Sequence, residues 1–369
     1  MTETDYARFY RTPAWRGWKP VVLVIAAFAA MQILGSVILG IAMGIMFVAS
    51  PEDVEALFGA TDSLEEFDVQ AFLAQLMASK EIFIANFISL GALLPVCFLL
   101  SFLIMRQRPG YLSSVTGRFR WAWFGPVVGV IGVICIAIVG FLVWSPVIAG
   151  EQTVGLIPDT WLLLITVIVI VPFQSAAEEY LCRGLVFRGV TSFFGAKPST
   201  GLIIGAVAST LIFMGLHLST DVGQNVFYAF FGLTACWLTW RTGGLEAAIA
   251  LHLANNMVGM SSLPFTGLTS EMFDRSAGAT SWQGVLLQIV QLVLAIAAVE
   301  LLVRWRRPVR TSAPGLATGS QIATMPWMTT RPGMTATPAS PALQPPQLLA
   351  AVPAAHPAQS TWPPGSPPQ

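Results

Sequence analysis

Charge is what this chain of 369 residues has least of: Asp, Glu, Lys and Arg make up 10% of it, against roughly 25% in an ordinary soluble domain. Basic and acidic residues balance at 19 each, with no basic block and no acidic tail, which removes any electrostatic footprint for nucleic acid. Cysteines number four and histidines three. None of Cys97, Cys135, Cys182 and Cys236 stands at C-x-x-C spacing, which argues against a zinc knuckle or redox dithiol and leaves buried structural thiols. No H-E-x-x-H occurs either. Hydrocarbon fills the gap: 55% of residues are hydrophobic and mean hydropathy is +0.70, the signature of an all-α polytopic membrane protein.

Apolar runs long enough to span a bilayer cover about 20–48, 82–105, 121–148, 160–188, 199–218, 222–240, 243–262 and 281–303, giving about eight transmembrane helices. The N-terminus is too long, acidic and aromatic for a signal-peptide n-region, so the first run reads as a retained helix. Lys and Arg gather in alternate loops: Arg8, Arg11, Arg16 and Lys19, then Arg106, Arg108, Arg118 and Arg120, then Arg188 and Lys197, Arg241, and Arg304 to Arg310. The other loops hold only Lys80 and Arg275, and the first of them is acidic. The positive-inside rule then sets both termini in the cytoplasm. Residues 50–80 fit either an amphipathic helix on the outer interface or a solvated loop. Four regions follow: a cytoplasmic segment 1–19, N-terminal helices and the acidic outer loop 20–158, a core 159–307, and a Pro/Ala/Ser/Thr-rich tail 308–369 too poor in buriable surface to order.

Within this hydrocarbon one stretch stands out: Ala177-Glu178-Glu179-Tyr180-Leu181-Cys182-Arg183, at the end of an apolar run. Three unpaired charges at the centre of a membrane helix cost on the order of 8–10 kcal/mol, a cost that points to a use. Glu179 and Arg183 are i and i+4 with the acid N-terminal, the favourable order for an ion pair. Glu178 is rotated about 100° away and is left to face a cavity, suited to act first as general base and then as general acid. His252 and Asn256 share one face of a later span, where they can polarise a carbonyl or hold an oxyanion. Phe213 and His217 share another, so that His217 can orient a water against Glu178, with room opened by a kink at Pro172. Each residue alone has a plainer role as interhelical glue or a snorkelling ion pair. Together they form the parts of a hydrolase without a side-chain nucleophile.

The three motifs, Glu178-Glu179-x-x-x-Arg183, Phe213-x-x-x-His217 and His252-x-x-x-Asn256, over about 160–262, resemble those of the CAAX-protease and bacteriocin-processing (CPBP, or Abi) family of intramembrane proteases. The resemblance implies a conical cavity open toward the cytoplasm and peptide-bond hydrolysis in the bilayer. It also implies that Glu178 with His217 activates water, His252 with Asn256 forms the oxyanion site, and Glu179 with Arg183 holds the architecture. The implied partner is a membrane-associated peptide or lipidated protein. Cofactor use stays open between none and a divalent metal such as zinc, for which Glu178, His217 and His252 are the candidate ligands. The alternatives are a non-catalytic scaffold or immunity protein that binds peptides in the same cavity, and a proton-coupled transporter. For Glu178 to meet His217, helical structure must continue beyond the fourth span, around 184–200.

Overall fold

The computed structural model describes residues 3–52, 54–55, 68–314 and 317. The helices are α1 (Trp18–Ala49), α2 (Val69–Ala78), α3 (Lys80–Met105, a helix pair joined at Ala92), α4 (Trp121–Ile148), α5 (Thr160–Thr191), α6 (Pro198–Leu216), α7 (Val222–Thr242), α8 (Glu246–Gly259) and α9 (Trp282–Arg306). Among the described residues the only sheet is the pair β1 (Thr4–Asp5) and β2 (Thr311–Ser312).

Among the described residues six helices, α1, α3, α4, α5, α6 and α9, are long and apolar enough to cross a bilayer, rather than the expected eight. The other two expected spans exist as α7 and α8 but differ in character. Helix α7 carries Gln224, Asn225 and Arg241, and α8 has 14 residues, about 21 Å of rise against a hydrocarbon core of about 30 Å. Helix α8 tolerates its shortness because protein encloses it: it packs on α4, α5 and α7, and every residue from 246 to 252 is buried. The outer helices present apolar side chains outward instead, as α1 does with Ile25, Ile33, Ile41 and Val48.

Loops sort to the two ends of the bundle. At one end lie the N-terminal segment and the arginine-bearing loops; at the other lie residues 68–79, 149–159, 217–221 and 260–281. Helices α2, α3, α7 and α9, which start at the acidic end, are capped there by Asp68, Ser79, Asp221 and Ser281 through their side-chain oxygens. Their far ends carry Arg241, Arg304 and Arg306 in the last turns of α7 and α9, where a cation meets the negative end of the helix dipole.

The arginine-rich end is closed by a clasp. The Tyr6 hydroxyl donates to the Leu112 carbonyl, and the Arg188 guanidinium lies between the rings of Tyr6 and Tyr10, 4.4 and 4.0 Å from their centres. Arg188 also donates to Gln107 Oε1 at 2.8 Å. Burial raises the Tyr6 and Tyr10 phenols above their ordinary range, so they stay neutral partners. Arg120 grips Glu246 with two guanidinium hydrogen bonds of 2.8 and 2.6 Å and a third from its backbone N–H at 2.9 Å, and reaches the carbonyls of Thr242 and Val309. Ordered structure thus continues past 308, through β2 and a bond from Arg108 N–H to the Ala317 carbonyl. Residues 318–369, most of the expected disordered tail, lie outside the described residues, as do 56–67 of the acidic loop. Val69–Ala78 of that loop form α2, which packs on Ser270–Phe273.

Helix α5 runs unbroken to Thr191, three residues past the expected end of its span, and α6 begins at Pro198. Two π-helical stretches interrupt its regular ladder, Thr166–Ile170 just before Pro172 and Tyr180–Phe187 just after Glu179. Such widened turns recur at functional sites.

The Arg120–Glu246 pair generates a direct expectation. Replacing Arg120 by Met strands a carboxylate that is fully buried, so the melting temperature in detergent should fall by the equivalent of about 3–5 kcal/mol, and the Arg120→Met/Glu246→Gln double variant should recover part of it.

Candidate active site

Three helices converge at mid-depth. From α5 come Gln174, Ser175, Glu178, Glu179 and Arg183; from α8, His252 and Asn256; from the end of α6, Phe213 and His217. All of the expected site residues lie in this region. Helix α5 presents them because Gln174, Glu178 and Cys182 follow one face at i, i+4 spacing, while Glu179 and Arg183 follow the next.

Glu179 is the hub. Its Oε1 accepts from Arg183 Nη1 at 2.9 Å and lies 2.8 Å from His252 Nδ1. Arg183 is fully buried, donates to the Gly232 carbonyl at 3.2 Å, and lies 4.6 Å from the centre of the Phe213 ring. A guanidinium in hydrocarbon is thereby matched by a carboxylate, a carbonyl and a π face. Nδ1 of His252 facing a carboxylate carries a proton, which fixes the ring so that Nε2 points to Glu178, 3.5 Å from its Oε2. That separation is an ion-pair distance and too long for a formed hydrogen bond, so Glu178 Oε2 is buried with no hydrogen-bond partner.

The other Glu178 oxygen is held. Gln174 Nε2 donates to Oε1 at 2.6 Å, while Gln174 Oε1 accepts from Ser175 Oγ at 3.2 Å and Asn256 Nδ2 at 3.3 Å. Asn256 also donates to Ser175 Oγ at 3.3 Å. One carboxylate oxygen of Glu178 is therefore fixed by an amide relay that ends at Asn256, and the second faces the imidazole of His252. Gln174 and Ser175 were missed in the sequence, although Gln174 stands four residues before Glu178 on its own helix face.

His217 enters from the acidic end. Its Nδ1 is 2.8 Å from the Phe213 carbonyl and so carries the proton toward it, leaving Nε2 as acceptor. Its ring lies against Phe213 and Tyr228, with centroids 4.6 and 4.1 Å away, and the Phe213 ring in turn lies 5.8 Å from that of His252. The chain then turns sharply: Leu218 has φ +53°, an uncommon left-handed conformation for a residue with a side chain. Outside groups hold that turn. Arg275 donates to the His217 carbonyl, and Gln70 of α2 donates to the Leu218 carbonyl at 2.9 Å. Beside it Asp221 accepts from the Gln224 and Gly278 N–H groups. Burial opposes the Asp221 charge, but these hydrogen bonds prevail and hold its carboxyl below the ordinary range.

Among the described residues no group of three or more His, Cys, Asp or Glu side chains has an arrangement that could hold a metal ion. Glu246 and Glu300 are accounted for by Arg120 and by Arg241 with Arg304. All four cysteines are buried and free.

The shared Oε1 predicts strong coupling. Arg183→Met should destabilise the protein by about 3–5 kcal/mol, and a double-mutant cycle with Glu179→Gln, read by thermal melting, should return a large favourable interaction energy; additive losses would contradict the pairing.

Over 225 residues, 58% of this chain and 73% of its relative, the sequence is 23% identical to the uncharacterized protein YyaK of Bacillus subtilis (strain 168). No solved structure matches the chain. Residues 158–258 match the family model of the type II CAAX prenyl endopeptidase Rce1-like proteins, and these residues span α5 to the end of α8 with every side chain of the site. The motif-bearing core of this membrane protein is thus similar to the Rce1-like family over residues 158–258, the stretch whose three motifs resemble those of CAAX proteases.

Proposed function

We propose that the protein is an intramembrane endopeptidase that hydrolyses a peptide bond with a water activated by Glu178 and His217. The observation that carries this reading is the unpartnered Oε2 of Glu178, buried among the helices opposite His252 Nε2. Glu179 Oε2 is likewise buried without a partner, but that carboxylate already engages Arg183 and His252 through Oε1, which leaves Glu178 as the acid of the pair without an arginine partner.

The chemistry follows from the contacts. Glu178, Glu179 and Arg183 together leave one net negative charge beside His252. A water between Glu178 Oε2 and the acceptor nitrogen of His217 gives up a proton to Glu178 as its oxygen bonds to the substrate carbonyl carbon. The carbonyl oxygen becomes an oxyanion, for which His252 Nε2–H and Asn256 Nδ2–H are the donors. Glu178 then returns its proton to the amide nitrogen and the C–N bond breaks; the remaining hydroxyl proton of the intermediate passes through Glu178 to the departing amine, so that a carboxylate and an ammonium group leave. Glu179 and Arg183 make no contact with substrate in this scheme; they orient His252.

Substrates are membrane-associated peptides or lipidated proteins, and the arginine-rich end with both termini faces the cytoplasm.

Purified protein in lipid vesicles, given a library of membrane-tethered peptides, tests the proposal. Glu178→Gln should lower kcat/KM by about 10²–10⁴-fold, at unchanged abundance and melting temperature. Asn256→Ala should cost about 10²–10³-fold, mainly in kcat. If Glu178→Gln and His217→Ala keep full biological activity in cells at normal abundance, the protein is a peptide-binding scaffold instead.

A further inference from the structure

Of the two acids in the site, Glu178 alone lacks an arginine partner, yet its side chain is not free to move. Among the described residues a single hydrogen-bond donor reaches it, Gln174 Nε2, at 2.6 Å from Oε1. Gln174 stands one helical turn earlier on the same face of α5 and, at 4% exposure, is too enclosed to be a solvent-facing amide. Ser175 beside it is wholly buried.

The chemistry of these groups fixes the direction of every bond between them. A carboxylate only accepts, so the atom that Gln174 turns to Glu178 is its NH₂ group. Its carbonyl oxygen therefore points the other way, where it accepts from Ser175 Oγ at 3.2 Å and Asn256 Nδ2 at 3.3 Å. Having given its proton to Gln174, Ser175 Oγ has only lone pairs for Asn256, and it accepts from the same Nδ2 at 3.3 Å. The other end of that amide, Oδ1, is left to Asn255 Nδ2 at 3.4 Å. The charge on Glu178 thus decides which end of the Asn256 amide is presented, although no hydrogen bond joins the two directly.

We infer that Gln174 is a positioning residue that couples the general base to the oxyanion donor. It holds the Glu178 carboxylate by Oε1, which keeps Oε2 toward His252. It also holds the Asn256 amide with its NH₂ forward; one N–H shared between Gln174 and Ser175 leaves the second for the oxyanion. An Asn256 amide turned over would set an electron-rich oxygen against that developing charge. The part Gln174 plays in turnover rests on the protease reading, but the bonding among Gln174, Glu178 and Asn256 does not.

The full-length protein in lipid vesicles tests this with Gln174→Met, which keeps the length of the side chain and removes both polar atoms. For peptide cleavage, kcat should fall about 10–10²-fold with KM nearly unchanged, as expected when a catalytic group is misplaced. Asn256→Ala should cost much less in that background than in the wild type, because its amide is no longer aimed. An unchanged kcat, or losses that multiply independently while only the melting temperature falls, overturns the inference and leaves Gln174 a packing residue. Should Gln174→Met not fold, Gln174→Asn, one methylene too short to reach both partners, carries the same expectations. Infrared difference spectra read the bonding without turnover. The carboxyl band that Glu178→Gln removes should shift in Gln174→Met, and should shift with Asn256→Ala only while Gln174 is present. A band unmoved by Gln174→Met overturns the inference as well. If these shifts are seen but the wild type cleaves no peptide, the protease reading fails and the coupling of the two side chains stands.

Discussion

One buried carboxylate oxygen, Oε1 of Glu179, takes hydrogen bonds from both Arg183 and His252, and the arrangement of the site depends on that sharing. Arg183 has no exposure to solvent, and removing one partner of such a pair leaves an uncompensated charge costing about 3–5 kcal/mol. With Glu179 engaged twice, its neighbour Glu178 is the carboxylate left over. The same bond fixes the His252 ring, so that Nε2 has one direction in which to point, and that direction is Glu178. Two adjacent glutamates of identical chemistry thus acquire different work from the helix faces they occupy.

The rest of the fold serves this centre. A 14-residue helix is too short to bridge lipid unaided, yet α8 is the element that carries His252 and Asn256. It is anchored at its start by Glu246 on Arg120 and enclosed by α4, α5 and α7. At the same end the aromatic clasp around Arg188 closes the floor behind the ion pair. At the opposite end Arg275 and Gln70 hold the left-handed turn that follows His217, so that its ring stays against Tyr228. A rigid floor and a tethered rim leave the region between them partly exposed.

Much of this was legible in the residues. Six of the apolar runs are spans within a few residues of their expected limits, because length and hydropathy dictate them without reference to partners. The Glu179–Arg183 pair was legible from i, i+4 spacing, and the grouping of Glu178, His217, His252 and Asn256 from the scarcity of polar groups elsewhere. Burial by protein was not legible: 243–262 reads as another lipid-facing run, but apolar side chains look the same whether they face acyl chains or neighbouring helices. Nor was the bridging position of His252, because it depends on how α8 packs against α5. Gln174 escaped notice because an uncharged amide beside a conspicuous acidic pair carries little signal. The same holds for Arg275, whose role emerges only when the 260–281 loop folds onto the turn after His217.

Glu178 acting through water, and not as a nucleophile, is the claim on which the chemistry turns. A single turnover of purified protein with a membrane peptide in ¹⁸O-enriched water measures it directly, with mass spectrometry of both the product and the protein segment containing Glu178. The account predicts that the heavy oxygen appears in the new carboxylate of the product and that the Glu178 segment stays unlabelled. Label in the Glu178 side chain would reveal an acyl-glutamate intermediate and contradict the account, and so would the absence of any cleaved product.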